Sequence, residues 1–511
     1  IRRQVRKLCE HLFWGWHGLE LSAAEDLSLE QFHDLTSDAP TRLARMSEGS
    51  SSAPFPAPLS RQIKAALSPV LDLLDHAADT GRALINLERL CDASGNRLSL
   101  LRSLGGSASL GRAVCTILGG SDALSDTLIR FPELLDMAAQ RGMFAEGVSR
   151  ESARADCRAY CLNFRDHRAA VRRWMAREML RVGLRDLVLE TPPLQICAEI
   201  SHLTGATLDF ATVEMQQELL PRSQQLAFTV IGMGKYGGAE MHYSSDADVV
   251  FAHDVFAPVE DADGLANQWA SGVMRYLDEM TSEGRVVEID PRLRPEGRSG
   301  ALAPGLNSYF HYLENSTAIW ERQALTRARP AAGNREIAAK LMAAIRDVVY
   351  PEHWQSAWSD ELRHIKSRME SERAVSGKST FDVKLGAGGI SDIEWSAQWL
   401  AMKHGHAHPQ LQTPSTWDQL QAAAAAKVLS EEHSQKLCDA YQFLRRAELR
   451  RQIVHRRSEN VVKRDSRDFI VWARSMFPDE AENIACEQFE ETWNNHTVIV
   501  RDVFEQVRDG L

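Results

Sequence analysis

Apolar residues recur every three or four positions over most of this chain, which is the spacing of one face of a helix. Between residues 225 and about 335 that rhythm gives way to short apolar runs bounded by glycine, proline and aspartate, the pattern of strands. In residues 1–45 the stripe Val5, Leu8, Leu12 and Phe13 alternates with Arg2, Arg3, Arg6 and Lys7 and predicts a short helical piece. Residues 47–59, rich in Ser, Pro and Ala, read as a linker. From 60 to about 220 the pattern is helical again. Leu67, Val70, Leu71, Leu73 and Leu74 form one face and Leu84, Leu87 and Leu90 another. Ser107, Ser109 and Ser121 are candidate N-caps, and Pro132 sits where a helix begins. A long Arg-rich helix is expected from Ala153 to Leu187.

Phe228–Ile231 and Val249–Phe251 are the first two expected strands. Leu265, Trp269, Val273 and Leu277, four apart, predict a helix over Ala262–Glu279, and Val286–Asp290 a third strand. If that strand stays extended, Asp290, Arg292 and Arg294 share a face until Pro295 and Gly297 end it. Residues 305–329 read as helix, with Gln323 and Arg327 one turn apart and Arg322 and Arg329 two turns apart. From about 355 onward the pattern is helical with one break. Phe381–Glu394 reads as an extended piece, a glycine turn, and Ser391 capping a helix whose first turn holds Asp392 and Glu394.

Composition narrows the function. At 511 residues the chain is long enough for two to four domains, and 44% hydrophobic with 25% charged residues is a soluble globular balance. A net charge of −11 disfavours a nonspecific nucleic-acid binder, which needs a basic face. No apolar run reaches the ~18 residues of a membrane span, and no secretory signal is visible. The eight cysteines are scattered; Cys157 and Cys161 are four apart but lack the second pair that a zinc site needs, so reduced buried thiols in a cytoplasmic protein are expected. Because the first residue is Ile1, the chain is expected to be a fragment of a longer one.

The chemistry concentrates in Phe228–Asp254. A glycine cluster, Gly232, Gly234, Gly237 and Gly238 with Lys235 inside it, follows the first strand, and Ser244-Ser245-Asp246-Ala247-Asp248 precedes the second. Alternation puts Asp246 and Asp248 side by side at a strand start. Two like charges so placed repel unless a cation sits between them, and Mg²⁺ with substrate phosphates is the natural partner of such oxygen ligands. The glycines let backbone N–H groups approach phosphate, and Lys235 adds a point charge. Asp290 is the available third acid. The same glycines match G-x-G-x-x-G, but no apolar helical stripe follows, which disfavours a dinucleotide fold. Taken singly, the aspartates also suit a capped turn, and Arg292, Arg294, Arg322, Arg327, Arg329, Arg373, Lys378 and Lys384 also suit ordinary surface charges. His253 has no accompanying ligand set.

These motifs together resemble the bacterial glutamine synthetase adenylyltransferase family, of the polymerase-β-like nucleotidyltransferases. The resemblance rests on G-x-G-K-x-G-G-x-E-x-x-Y-S-S-D-x-D at 232–248, D-x-R-L-R-P at 290–295, W-E-x-Q-A-L at 320–325 and K-x-G-x-G-G-h-x-D-h-E at 384–394. It implies an α+β, predominantly helical fold: a nucleotidyltransferase domain with a small mixed sheet, flanked by helical domains and ending in a helical bundle. The implied divisions are a helical tail 1–45, a linker 46–60, a helical domain 61–150, the catalytic domain 151–345 and the bundle 346–511. It implies transfer of AMP from ATP to a tyrosine of glutamine synthetase in nitrogen regulation, by the C-terminal half of a bifunctional enzyme; the alternative is phosphorolytic removal of that AMP at the same kind of site. Asp246, Asp248 and Asp290 would be catalytic and hold Mg²⁺, with Asp290 also a proton acceptor. Gly234, Lys235, Gly237, Gly238, Ser244, Ser245, Arg292 and Arg294 would bind the nucleotide. A PII-type signalling protein is an implied partner, nucleic acid and membrane are not, and the Lys384–Glu394 segment is expected to brace the domains. Pro291 departs from the pattern and suggests an edge strand.

Overall fold

The computed structural model describes residues 37–74, 76–140, 142, 144–373, 380–455 and 461–510, the side chains of Arg373 and His455 excepted. The stripe at residues 5–13, Cys9 and Lys378 therefore lie outside the described residues. The fold is α+β and predominantly helical, with one four-stranded mixed sheet. It divides into two units. Among the described residues no helix is long and apolar enough to cross a membrane.

The first unit takes in the described residues up to Glu146, with Gly183–Glu190 and Phe477–Glu480. Its helices include Ala39–Glu48, Ala57–Leu74, Thr80–Ala93, Arg97–Gly106, Ala108–Gly120 and Asp122–Arg130. Leu67, Val70, Leu71 and Leu74 are buried, as are Leu84, Leu87 and Leu90. Ser107 and Ser121 cap helices, each hydroxyl accepting a backbone N–H three residues on. Ser109 instead lies inside the helix that Ser107 caps. The Ser/Pro-rich stretch is folded back on itself. Gly49–Ser50 pairs with Ala53–Pro54, and Phe55 N–H donates to the Glu48 carbonyl at 2.7 Å.

The second unit contains Gly147–Val182, Thr191–Met476 and the described residues from Ala481 on. Its sheet comprises β1 (Leu226–Gly232), β2 (Ala247–Val255), β3 (Ile289–Asp290) and β4 (Arg329–Gly333), in the order β3-β2-β1-β4. β1 runs antiparallel to both β2 and β4, and β3 is parallel to β2. The antiparallel β1–β2 pair is incompatible with a βαβ dinucleotide unit. Every residue of β1 is buried, as a central strand covered on both faces requires. Helices α1 (Arg150–Cys161), α2 (Pro193–Glu218) and α3 (Ala262–Asp278) share a core with the sheet. Phe228 of β1 stacks on Trp269 of α3 with ring centroids 4.6 Å apart, and Cys157 and Cys161 are buried in the same core.

Three local expectations are corrected. The third strand is only Ile289–Asp290, because the Asp290 carboxylate accepts the Arg292 N–H and turns the chain. Asp290, Arg292 and Arg294 therefore do not line one face. β3 is an edge strand, and Pro291 follows it without costing a ladder bond. The helix expected to 329 ends at Leu325 (α4, Ile319–Leu325), and Arg329 opens β4. Pro330 is tolerated there because β4 is also an edge. The Ala331 carbonyl accepts from Arg150 of α1 at 3.2 Å and from Arg154.

Beyond the sheet, α5 (Ile390–His404), α6 (Glu431–His455) and α7 (Glu482–Asp509) form the framework of a helical bundle. Thr380–Asp382 pairs with Val461–Lys463, and Phe381, Phe469, Trp472, Phe489 and Trp493 stack around that pair. The cap of α5 is Gly389, not Ser391, which lies within the helix.

Candidate active site

β2 and β3 bring the three acids together. Asp248 lies opposite Asp290 in the parallel register, and Asp246 precedes the strand on the same alternation. Carboxylate oxygens of all three lie within 4.8 Å of one another. The main chain fixes them: Ala247 N–H donates to the Glu288 carbonyl and Met233 N–H to the Asp248 carbonyl, both at 2.8 Å. Burial, then Asp246 and Asp290, push the Asp248 carboxyl up to about 7. Burial acts the same way on Asp290, but hydrogen bonds from Arg292 outweigh it and hold that carboxyl below its usual range. Three converging carboxylates with one guanidinium between them are short of positive charge. The donor set is all oxygen, so it fits Mg²⁺.

The glycine loop sits directly on this cluster. Gly234 has φ +51°, and a Cβ there would lie 2.2 Å from Asp248 Oδ2. At Gly237 a Cβ would lie 1.9 Å from the Arg327 carbonyl oxygen. Gly234→Ala is therefore expected to displace Asp248 and weaken Mg²⁺ binding at least about tenfold, on the scale of disturbed ligand support, by calorimetric titration. Wild-type affinity would show that the loop does not control the carboxylate.

The other expected nucleotide ligands are placed unevenly. Ser244 Oγ is buried with no hydrogen-bond partner among the described residues, leaving a polar atom for a ligand. Ser245 Oγ accepts the His242 N–H at 3.0 Å. Arg292 grips Asp290 yet its side chain is 61% exposed, so its outer edge remains accessible. Arg294 is turned onto its own loop, donating to the carbonyls of Pro291, Arg298 and Gly300. Lys235 does not point to a free anion site. Its ammonium is 2.5 Å from Glu448 Oε1 on α6.

That pair opens a buried network which single-residue reading missed. Glu448 also takes Arg445 Nη1 at 2.6 Å; Arg445 Nη2 reaches Glu394 at 2.9 Å and Glu240 at 3.1 Å. Arg327 meets Glu240 and, at 3.1 Å, Glu394. Three cations (Lys235, Arg327, Arg445) thus face three carboxylates (Glu240, Glu394, Glu448), and the set closes neutral. His242 beside it is pushed down to about 3, by burial first and then Lys235, and stays neutral. Glu240 also accepts the Thr416 N–H at 2.7 Å. Gln323 of α4 donates to Gln398 of α5 at 2.9 Å. The only advance sign was that Glu240, Gln323 and Glu394 sit inside the quoted motifs.

Residues 111–344 match the family model described as glutamate-ammonia ligase adenylyltransferase, and residues 363–508 match that described as GlnD PII-uridylyltransferase. A protein of Cutibacterium acnes named bifunctional glutamine synthetase adenylyltransferase/adenylyl-removing enzyme is 32% identical over 422 residues, 81% of this chain and 42% of the relative. Proteins of the same name from Corynebacterium efficiens (33% over 400 residues; 74% and 38%) and Streptomyces coelicolor (31% over 445; 81% and 43%) match similarly. The chain spans about two fifths of the length of these curated relatives.

Proposed function

Because residues 111–344 match the family model of glutamate-ammonia ligase adenylyltransferase, we propose that the chain transfers AMP from ATP to a tyrosine hydroxyl of glutamine synthetase, releasing pyrophosphate. The observation that carries this reading is the cluster of Asp246, Asp248 and Asp290 beneath the glycine loop. Those three carboxylates would hold Mg²⁺, which supplies charge neutralisation at the phosphates and acidifies the attacking hydroxyl. Gly234, Gly237, Gly238, Ser244 and Ser245 would position the triphosphate, and Arg292 both fixes Asp290 and presents positive charge outward. Asp290, kept ionised by Arg292, is a weak base and serves first as a ligand. The protein would work in the cytoplasm, with a PII-type signalling protein as a candidate regulator of the 363–508 region.

The test is transfer of label from ATP to purified glutamine synthetase with Mg²⁺ and without phosphate. Label on the synthetase supports the proposal. The relatives' name also includes adenylyl removal, so release of ADP from adenylylated synthetase on adding phosphate, without forward transfer, would assign the removing reaction instead.

Asp248 also sets a pH dependence. Its folded carboxyl titrates near 7, above the 3.8 of a free aspartate, so the metal-free fold holds this proton more tightly than the unfolded chain. Stability from this group is full below pH ~4 and lost as pH rises through 7. Mg²⁺ binds the ionised form, so its affinity is expected to fall about tenfold per pH unit below 7. Melting curves at pH 5.5 and 8, with EDTA or Mg²⁺, check this: Mg²⁺ raises Tm more at pH 8, and Asp248→Asn abolishes the difference. An equal Mg²⁺ effect at both pH values would refute the assignment.

A further inference from the structure

Resting on the adenylyl-transfer reading, we infer that a shallow apolar recess beside the three carboxylates receives the aromatic ring of the tyrosine that accepts AMP, with Trp320 as the side chain that selects it.

The recess lies between the helix Leu306–Asn315, α4 and the turn that follows Asp290. Tyr312, Trp320 and Ala324 line it from the helices, and Met233, Leu293 and Pro295 from the loops. Met233 and Leu293 tie it to the acids. Met233 precedes Gly234, its N–H donates to the Asp248 carbonyl at 2.8 Å, and a Cβ on Gly234 would lie 2.2 Å from Asp248 Oδ2. Leu293 stands in the turn that the Asp290 carboxylate holds by accepting the Arg292 N–H at 2.9 Å. The same glycine loop and the same turn that frame the carboxylates thus wall the recess.

Its chemistry selects the occupant. Tyr312, Glu321 and Thr317 spend their polar atoms within the protein. The Tyr312 hydroxyl donates to Glu321 Oε1 at 2.5 Å, Glu321 Oε2 accepts the Ala318 N–H at 2.8 Å, and the Thr317 hydroxyl donates to the Leu313 carbonyl at 3.0 Å. What they leave to a ligand is ring face and alkyl surface. Adenine buried there would have ring nitrogens short of donors, which is costly. A phenol ring has one polar atom, at its tip, so it can lie on this surface with the hydroxyl held out to the carboxylates. Trp320 supplies a stacking face at the start of α4. It is 46% exposed, and tryptophan is the side chain most often found as an anchor of protein contacts. Serine and threonine have no ring and would leave the recess uncovered, so it discriminates among hydroxyl acceptors.

The experiment measures transfer of label from MgATP to purified glutamine synthetase by the full chain, with calorimetric MgATP titrations and melting curves in parallel. Trp320→Ala is expected to raise KM for the synthetase about tenfold or more, as loss of an aromatic anchor does, and to leave MgATP affinity within about twofold. Trp320→Phe should restore most of the loss. Ala324→Leu, which fills the recess, should raise the same KM with MgATP affinity and Tm unchanged. N-acetyltyrosinamide should compete with the synthetase in the wild type and not in Trp320→Ala, and N-acetylserinamide in neither. If Trp320→Ala instead loses MgATP affinity about tenfold and keeps its KM for the synthetase, the recess holds adenine and the assignment is overturned. A wild-type KM in both variants, or no competition by N-acetyltyrosinamide, would overturn it too and leave the adenylyl-transfer reading standing. If the wild-type chain transfers no label, that reading falls and the assignment with it.

Discussion

Asp248→Asn is expected to reduce AMP transfer at least about 1,000-fold while raising the Tm of the metal-free protein. The activity loss follows from removing a central ligand, since bound Mg²⁺ contributes several kcal/mol of charge stabilisation and each 1.4 kcal/mol is tenfold in rate. The stability gain follows from the same geometry with the opposite sign. Asp248 is half-buried beside Asp246 and Asp290, and burial first, then those two charges, raise its carboxyl to about 7. A neutral amide of the same shape removes the repulsion and keeps the β2 main-chain bonds, which do not involve the side chain. A cluster arranged to hold a cation would thus cost the metal-free fold stability. The checks are the labelled-ATP assay and a melt in EDTA. Unchanged transfer would dismiss the metal site, and a lowered Tm would show that the carboxylates do not repel one another in solution.

The second large effect lies away from the reacting atoms. Arg445→Ala is expected to destabilise the second unit by about 3–5 kcal/mol, the range for removing one member of a buried ion network. Arg445 is fully buried and serves Glu240, Glu394, Glu448 and the Tyr441 hydroxyl. Its loss leaves two cations facing three carboxylates. Arg445→Lys should recover only part, because one ammonium cannot reproduce a planar fork spread over four acceptors. Urea unfolding followed by tryptophan fluorescence measures this. A cost below about 1 kcal/mol, the value of an exposed pair, would show that the network is hydrated rather than buried.

Where the sequence carried a strong local signal, it foretold the structure. The Phe228–Ile231 run, apolar but for Thr229, is the buried central strand, and the four-residue spacing of Leu265, Trp269, Val273 and Leu277 is the helix that covers it. Asp246 and Asp248 were legible because alternation in a strand is a rule of backbone geometry. β4 was not, since Arg329–Gly333 is short, contains a proline and is settled by pairing with β1 about a hundred residues away. Lys235 was read by its neighbours in sequence, whereas its position is decided by Glu448. No local pattern encodes an ion pair across 213 residues.

That separation has a consequence for synthesis of the chain. The sheet and its three carboxylates are complete once residue 333 has emerged, but Lys235 then still lacks Glu448, Glu240 lacks Arg445 and Arg327 lacks Glu394. Lys235 of the glycine loop would lack its carboxylate until α6 is made and docks. The site is therefore assembled late, as a long-range event whose loop-closure entropy must be met before its contacts form. A chain released before residue 448 would have all three clustered acids and no settled loop above them.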